Sequence, residues 1–254
     1  MSKIIVKNVK YLDRFLKSIT QFVPSCKFDI DSDKCVVRSQ NLSARAFFTS
    51  NVIVAESEIS FCLSELGKLY QSIKTLSDFK ESDKECVITY DGTFLRMKDV
   101  VSFKLTTVKE DVVRDNITAD LKTQLTPVFG FKLRNAVMNK MKTMQFMSQD
   151  TTPKVYIYKD KIGSVDTIVG EIDNKIQQLT DSIAIPLSTT FFGDWETSVI
   201  TDLESFGLWN PVSADDINVS FVTNGQAKAI ISLSEVKEDD VYIKTKVLSS
   251  VLKQ

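Results

Sequence analysis

Two apolar rhythms alternate along this chain, one of three to four residues and one of two, and their boundaries set out most of its elements. Leu12, Phe15, Leu16, Ile19 and Phe22 share one side of a predicted helix over Lys10–Val23, which Pro24 ends. Lys10, Arg14, Lys17 and Gln21 follow the opposite side. Leu66, Leu69, Tyr70, Ile73 and Leu76 do the same for a helix over Glu65–Ser77, with Ser64 as its expected cap and Lys68 and Lys74 outside. Leu133, Val137, Met141 and Met144 predict a third helix over Phe131–Met147, backed by Lys132, Asn135, Asn139 and Lys142 and flanked by Arg134 and Lys140. A fourth, short one is expected over Asp202–Trp209, before Asn210-Pro211.

The remaining apolar runs are short and bounded by Asp, Ser, Asn and Gly, as strands are. In the first half they are Ser2–Val9, Cys26–Ile30, Lys34–Arg38, Ala44–Val54, Glu58–Leu63, Cys86–Tyr90, Phe94–Lys98 and Val100–Val108. In the second they are the run from Pro127, then Val155–Tyr158, Ser164–Val169, Ile176–Leu187, Thr197–Thr201, Ile217–Val222, Ala227–Leu233 and Val241–Leu248. Asp91-Gly92 and Asn224-Gly225 sit where hairpin turns are needed, and the first suits a type I′ turn. Glu110–Gln124 loses periodicity before Pro127 and reads as a linker. Two segments therefore repeat one order: strand, basic helix, four strands, helix, Gly-turned hairpin, strand. Such a duplication predicts two similar domains, 1–109 and 127–254, joined by 110–126.

Charge sharpens this picture. The chain of 254 residues carries a net charge of −1. Between Asp120 and Asp150, however, there is no acidic residue, while Lys122, Lys132, Arg134, Lys140 and Lys142 fall in the gap. The three long helical stretches carry net charges of +2, +1 and +4, so the rest of the chain is strongly negative. Cationic helix faces on a negative body fit a polyanion held at one surface and repelled elsewhere. Lys10, Arg14, Lys17, Lys68, Lys74, Lys132, Arg134, Lys140 and Lys142 are the candidate contacts to duplex DNA. They would meet phosphates rather than base edges, so no sequence would be read. The acidic Asp202–Trp209 helix is left out.

Several chemistries are disfavoured. The chain has no histidine, which removes imidazole bases, Ser-His-Asp and Cys-His nucleophiles and His-ligated metals. Cys26, Cys35, Cys62 and Cys86 are too far apart for a Cys-x-x-Cys site and read as buried free thiols. Asp29, Asp31 and Asp33 begin like a Ca²⁺ loop, but Lys34 and Gln40 stand where Gly and Glu are required, so a strand-joining turn is expected. With 8 glycines the chain has little room for a phosphate loop. No cofactor, metal or catalytic residue is expected, and Met138, Met141, Met144 and Met147 read as core filler. No stretch approaches the roughly 18 apolar residues of a membrane span, and the start does not look like a signal peptide. A protein without membrane attachment, cytoplasmic in its own or an infected cell, is the expectation.

The duplicated order resembles the sliding clamps, the processivity factors of DNA polymerases, in their two-domain form found in proliferating cell nuclear antigen and the T-even bacteriophage clamp. The local likeness is to the phage type, over Glu58-Ile-Ser-Phe-Cys-Leu-Ser-Glu-Leu-Gly-Lys-Leu-Tyr70 and its counterpart Glu196-Thr-Ser-Val-Ile-Thr-Asp-Leu-Glu-Ser-Phe-Gly-Leu-Trp209. The resemblance implies an α+β fold of two similar clamp domains, with antiparallel sheets outside and helices lining a ring. It implies a non-enzymatic homotrimer that encircles DNA, is opened by an ATP-driven clamp loader and tethers a polymerase. It also implies a pocket beside the linker for tail peptides of partner proteins, for which Leu121, Leu125 and Val128 are candidates as much as for ordinary packing. Subunits are expected to join through Val100–Val108 of one copy and Ile176–Leu187 of the next. Two rivals are weighed: a structural virion or tail protein, which needs no basic helix rows, and a metal-dependent hydrolase, which needs clustered carboxylates.

Overall fold

The structure, a computed structural model, describes residues 1–79, 85–98, 101–119, 125–144, 153–176, 179–195, 198–223 and 228–252. In chain order the first elements are β1 (Ser2–Val6), α1 (Val9–Thr20), β2 (Cys26–Ile30), β3 (Cys35–Gln40), β4 (Ala44–Ser50), β5 (Ile53–Ala55), β6 (Ile59–Leu63), α2 (Leu66–Phe79), β7 (Cys86–Tyr90), β8 (Phe94–Lys98), β9 (Ser102–Thr106) and the short α3 (Glu110–Val113). They are followed by β10 (Thr126–Arg134), α4 (Asn135–Thr143), β11 (Lys154–Ile162), β12 (Val165–Ile176), β13 (Leu179–Ser188), β14 (Phe191–Phe192), β15 (Val199–Asp202), α5 (Leu203–Gly207), β16 (Asp216–Thr223), β17 (Lys228–Glu238) and β18 (Val241–Ser250). No described helix is long and apolar enough to cross a membrane.

The chain divides into two compact units, Met1–Asp120 with Glu235–Thr245, and Leu121–Ser234 with Lys246–Gln254. In the first, one sheet has the order β5-β1-β7-β8-β9 and another runs β6-β2-β3-β4. In the second, the orders are β14-β10-β16-β17-β18 and β15-β11-β12-β13. Leaving aside α3, each unit is strand, helix, five strands, helix, three strands, with matching antiparallel partners. The two halves are thus one topology used twice.

Each unit has its own core. In the first, α1 buries Leu12, Phe15, Leu16 and Ile19, and α2 buries Leu66, Leu69, Ile73 and Leu76. Phe48 of β4 receives Phe15 and Phe22 edge-on, with centroids 6.4 and 5.5 Å apart. The tip of the β17–β18 hairpin completes this unit. Ser50 donates to the Tyr242 carbonyl at 2.6 Å, Asn51 to that of Asp240 at 2.6 Å, and Tyr11 to Glu238 at 2.8 Å. In the second unit Phe131, Leu133, Met138, Met141, Val155, Ile157, Ile172, Phe206 and Trp209 are buried together. The indole N–H of Trp209 donates to Ser249 Oγ at 3.1 Å, so this polar atom is satisfied inside the core.

Four expectations are corrected. Ala44–Val54 is two strands, β4 and β5, with Asn51 between them hydrogen-bonded to the hairpin tip. The Asp91-Gly92 hairpin is not type I′, which needs positive φ at both central residues. The turn is centred on Gly92-Thr93, and of these Gly92 alone has positive φ (90°), while the Asp91 carboxylate accepts from the N–H groups of Thr93 and Phe94. Ser64 does not cap α2; the Leu66 N–H instead donates to the Pro24 carbonyl at 2.7 Å. Finally, Glu110–Gln124 is not without structure, since α3 and a 3₁₀ turn at Arg114–Asn116 occupy its first part. The Asn224-Gly225 turn and Met147 lie outside the described residues.

Candidate nucleic-acid interface

Helix α1 begins where Asn8, in extended conformation, accepts the Tyr11 N–H on its side chain at 3.0 Å. From there Lys10 and Lys17 are exposed and Arg14 is half-buried. Lys17 also lies in the last turn, where a cation complements the helix dipole. α2 packs beside α1 and exposes Gly67, Lys68, Gln71 and Lys74. Lys68 is paired with Glu65 one turn earlier. Asp13 lies within this basic set. Burial raises its proton affinity, with Asp78 adding to the effect and Lys17 and Lys74 opposing it. One of its carboxylate oxygens is buried without a hydrogen-bond partner. The basic face of the first unit therefore holds a half-buried acid between its lysines, a feature the helical period alone does not show.

In the second unit the candidate residues separate. The predicted helix over Phe131–Met147 is shorter than expected: α4 spans Asn135–Thr143, and residues 145–150 lie outside the described ones. Lys132 and Arg134 belong to β10, not to the helix. The reason is a competing period of two. Phe131 and Leu133 point into the core while Lys132 and Arg134 point out, in register with β16. Lys132 is neutralised by Asp216 of that strand, Nζ to Oδ2 2.6 Å. Lys142 also departs from the row. It is half-buried and stands close to Gly207 at the end of α5, and burial lowers its pKa below that of an ordinary lysine. Met138 and Met141 are buried as core, with Met144 packed against them. What α4 presents to solvent is Ala136, Asn139, Lys140 and Thr143.

Leu121 lies outside the described residues; Leu125 is half-buried and Val128 is 48% exposed. Nearer the start of the connector, Lys27 bridges Glu110 of α3 at 2.9 Å, and Arg38 bridges Asp29 at 3.3 Å. They line a cavity of about 210 Å³ with Ile117, Thr118 and Ala119. All four cysteines are buried, and burial pushes the thiols of Cys26 and Cys35 well above their usual range. Asp31 closes the β2–β3 turn by accepting from the N–H groups of Asp33 and Lys34, both at 2.8 Å.

Comparison of the whole fold with solved structures decides the architecture. The proliferating cellular nuclear antigen of Entamoeba histolytica superposes with a TM-score of 0.70 at 12% identity, covering 99% of both chains. The A. fulgidus PCNA, solved with the C-terminal region of FEN-1 bound, gives 0.74 at 12% identity over 100% of this chain and 99% of the other. The chain has the sliding-clamp fold. The PCNA2–PCNA3 complex of Sulfolobus tokodaii gives 0.63 at 12% identity over 98% of each chain. No family model matches the sequence, and no curated protein matches it. Within the clamp fold α1 and α4 are equivalent, each following the first strand of its unit, and each turns lysine to solvent. β9 and β13 are also outermost strands of their sheets.

Proposed function

We propose that this protein is a DNA sliding clamp. Three copies close head to tail into a ring, duplex DNA runs through the ring, and the ring tethers a replicative polymerase after an ATP-driven loader has opened it. The observation that carries this reading is the repeated placement of cationic helices, α1 and α4, in a chain of net charge −1 that has the clamp fold throughout. In such a ring these helices would surround the DNA. Lys10, Arg14, Lys17, Lys68, Lys74 and Lys140 would make loose, water-bridged contacts to phosphates that permit sliding, while Lys132, Arg134 and Lys142 act at longer range. The protein's role is that of a scaffold: processivity arises from encirclement rather than from a catalysed step. Edge pairing of β9 with β13 of the next copy would cover Phe103 and Leu105 on one side and Ile183 and Ile185 on the other, all half-buried in the single chain.

The test replaces Lys10, Lys17, Lys74 and Lys140 together by Ala. The expected outcome is synthesis per binding event shortened roughly tenfold, with the molar mass of the assembly unchanged. Unaltered processivity contradicts the assignment and favours a structural virion or tail role. For the partner surface, Leu121, Leu125 and Val128 are proposed to take a short apolar tail of the polymerase or loader. Leu125→Asp with Val128→Asp should then weaken polymerase binding while leaving self-association intact; equal affinity contradicts it.

A further inference from the structure

The pairing of outermost strands in the ring reading brings near each other a cation on β9 and an acid on β12 that have no ionic partner among the described residues. On β8 and β9 the core side holds Leu95, Met97, Phe103 and Leu105, so Phe94, Arg96, Lys98 and Lys104 share the solvent side. Arg96 is paired with Asp91 at 2.5 Å. Lys104 has no carboxylate partner among the described residues, and its ammonium lies over the Phe94 ring, 3.9 Å from the centroid. On β12 and β13 the core side holds Ile172, Ile183 and Ile185, so Glu171 and Ala184, directly opposite each other, share the solvent side. Glu171 accepts the Tyr158 hydroxyl at 2.9 Å and has no cation partner among the described residues.

We propose that Lys104 of one copy and Glu171 of the next form an ion pair across β13, and that this pair makes subunit association salt-dependent. The inference rests on the ring reading, and the occupant of the β13 edge is a second copy of this chain. Joining β9 to β13 in one continuous sheet puts both core sides together, and hence both solvent sides. In the register that sets Lys104 opposite Ala184, Glu171 is two strands from Lys104, roughly 10 Å between backbones, within the combined reach of a lysine and a glutamate side chain extended toward each other. Ala184, directly opposite Glu171 on β13, is exposed and small, so it does not stand in the way. Pro186 has no N–H to offer an incoming strand, which favours pairing over the residues before it, where Ala184 lies. The Phe94 ring holds the ammonium ready without satisfying it as a carboxylate would.

The test is sedimentation equilibrium of the full chain over a range of salt, free of DNA. Lys104→Glu and Glu171→Lys should each weaken self-association about fivefold at low salt, and the double variant should restore it. Glu171→Gln, which keeps an acceptor for Tyr158, should associate with less salt dependence than the wild type. If the single variants assemble as the wild type does, the ion pair is refuted and the ring reading stands. A wild-type chain that remains monomeric at every concentration overturns the ring reading itself.

Discussion

Tyr158 has a titration worth measuring. Burial, followed by its hydrogen bond to Glu171 and repulsion from that carboxylate, pushes its hydroxyl from an ordinary 10.0 up to about 12. The folded protein therefore holds this proton where the unfolded chain has already lost it. The contribution to stability is complete below about pH 10 and disappears as the pH rises through about 12. Tyr158→Phe should lose stability less steeply than the wild type over that window in urea titrations, and equal slopes would contradict the assignment. Gly67 offers a test of opposite sign. It is exposed in the first turn of α2, with nothing within 4 Å of where a Cβ would stand. Gly67→Ala should raise stability by about 0.5–1 kcal/mol, read as a higher urea midpoint, and a lower midpoint would show that the position is not open. Among the DNA candidates, Lys10, Lys17, Lys68, Lys74 and Lys140 could be picked from the sequence because helix period alone exposes them. The burial of Lys142 could not, because it depends on Gly207, a residue far along the chain that local pattern does not bring near.

The elements show the same division. Cys26–Ile30, Cys86–Tyr90 and Phe94–Lys98 are legible to the residue, because alternation and the flanking turn residues agree. The β10–α4 boundary is not. Leu133 fits a helix stripe with Val137 and Met141, and equally a strand face with Phe129 and Phe131. The tie is settled by hydrogen bonding to β16, which the local sequence does not announce. Gly130 is a signal that helical reading overlooks. A Cβ there would stand 2.3 Å from the Val219 carbonyl oxygen and 2.6 Å from the Phe192 ring, so β10 needs glycine to lie between β14 and β16. Gly130→Ala should cost about 2 kcal/mol of the second unit's stability, seen as a lower urea midpoint; an unchanged midpoint would argue against this packing.

For the molecule as a whole, the repeat of element order is readable but for one strand in each half, β5, which runs on from β4 in the apolar pattern, and the two-residue β14, because turn chemistry and apolar period recur in both halves even where residue identity does not. The strand partners that make the two sheet orders of each unit alike were not readable, since pairing joins residues remote in sequence. The charge pattern was legible as a sum and only in part as a surface: Lys132 is balanced by Asp216, and Asp13 sits among the lysines of α1 and α2. The central claim is that copies of this chain close around DNA and stay by topology rather than by affinity. It is tested most directly by loading the protein on closed circular duplex and measuring retention at raised salt before and after a single linearising cut. The account predicts stable retention on the circle, at the mass of three chains, and prompt release from the free ends after the cut. Retention that is equal on circular and linear DNA, or absent from both, would contradict it.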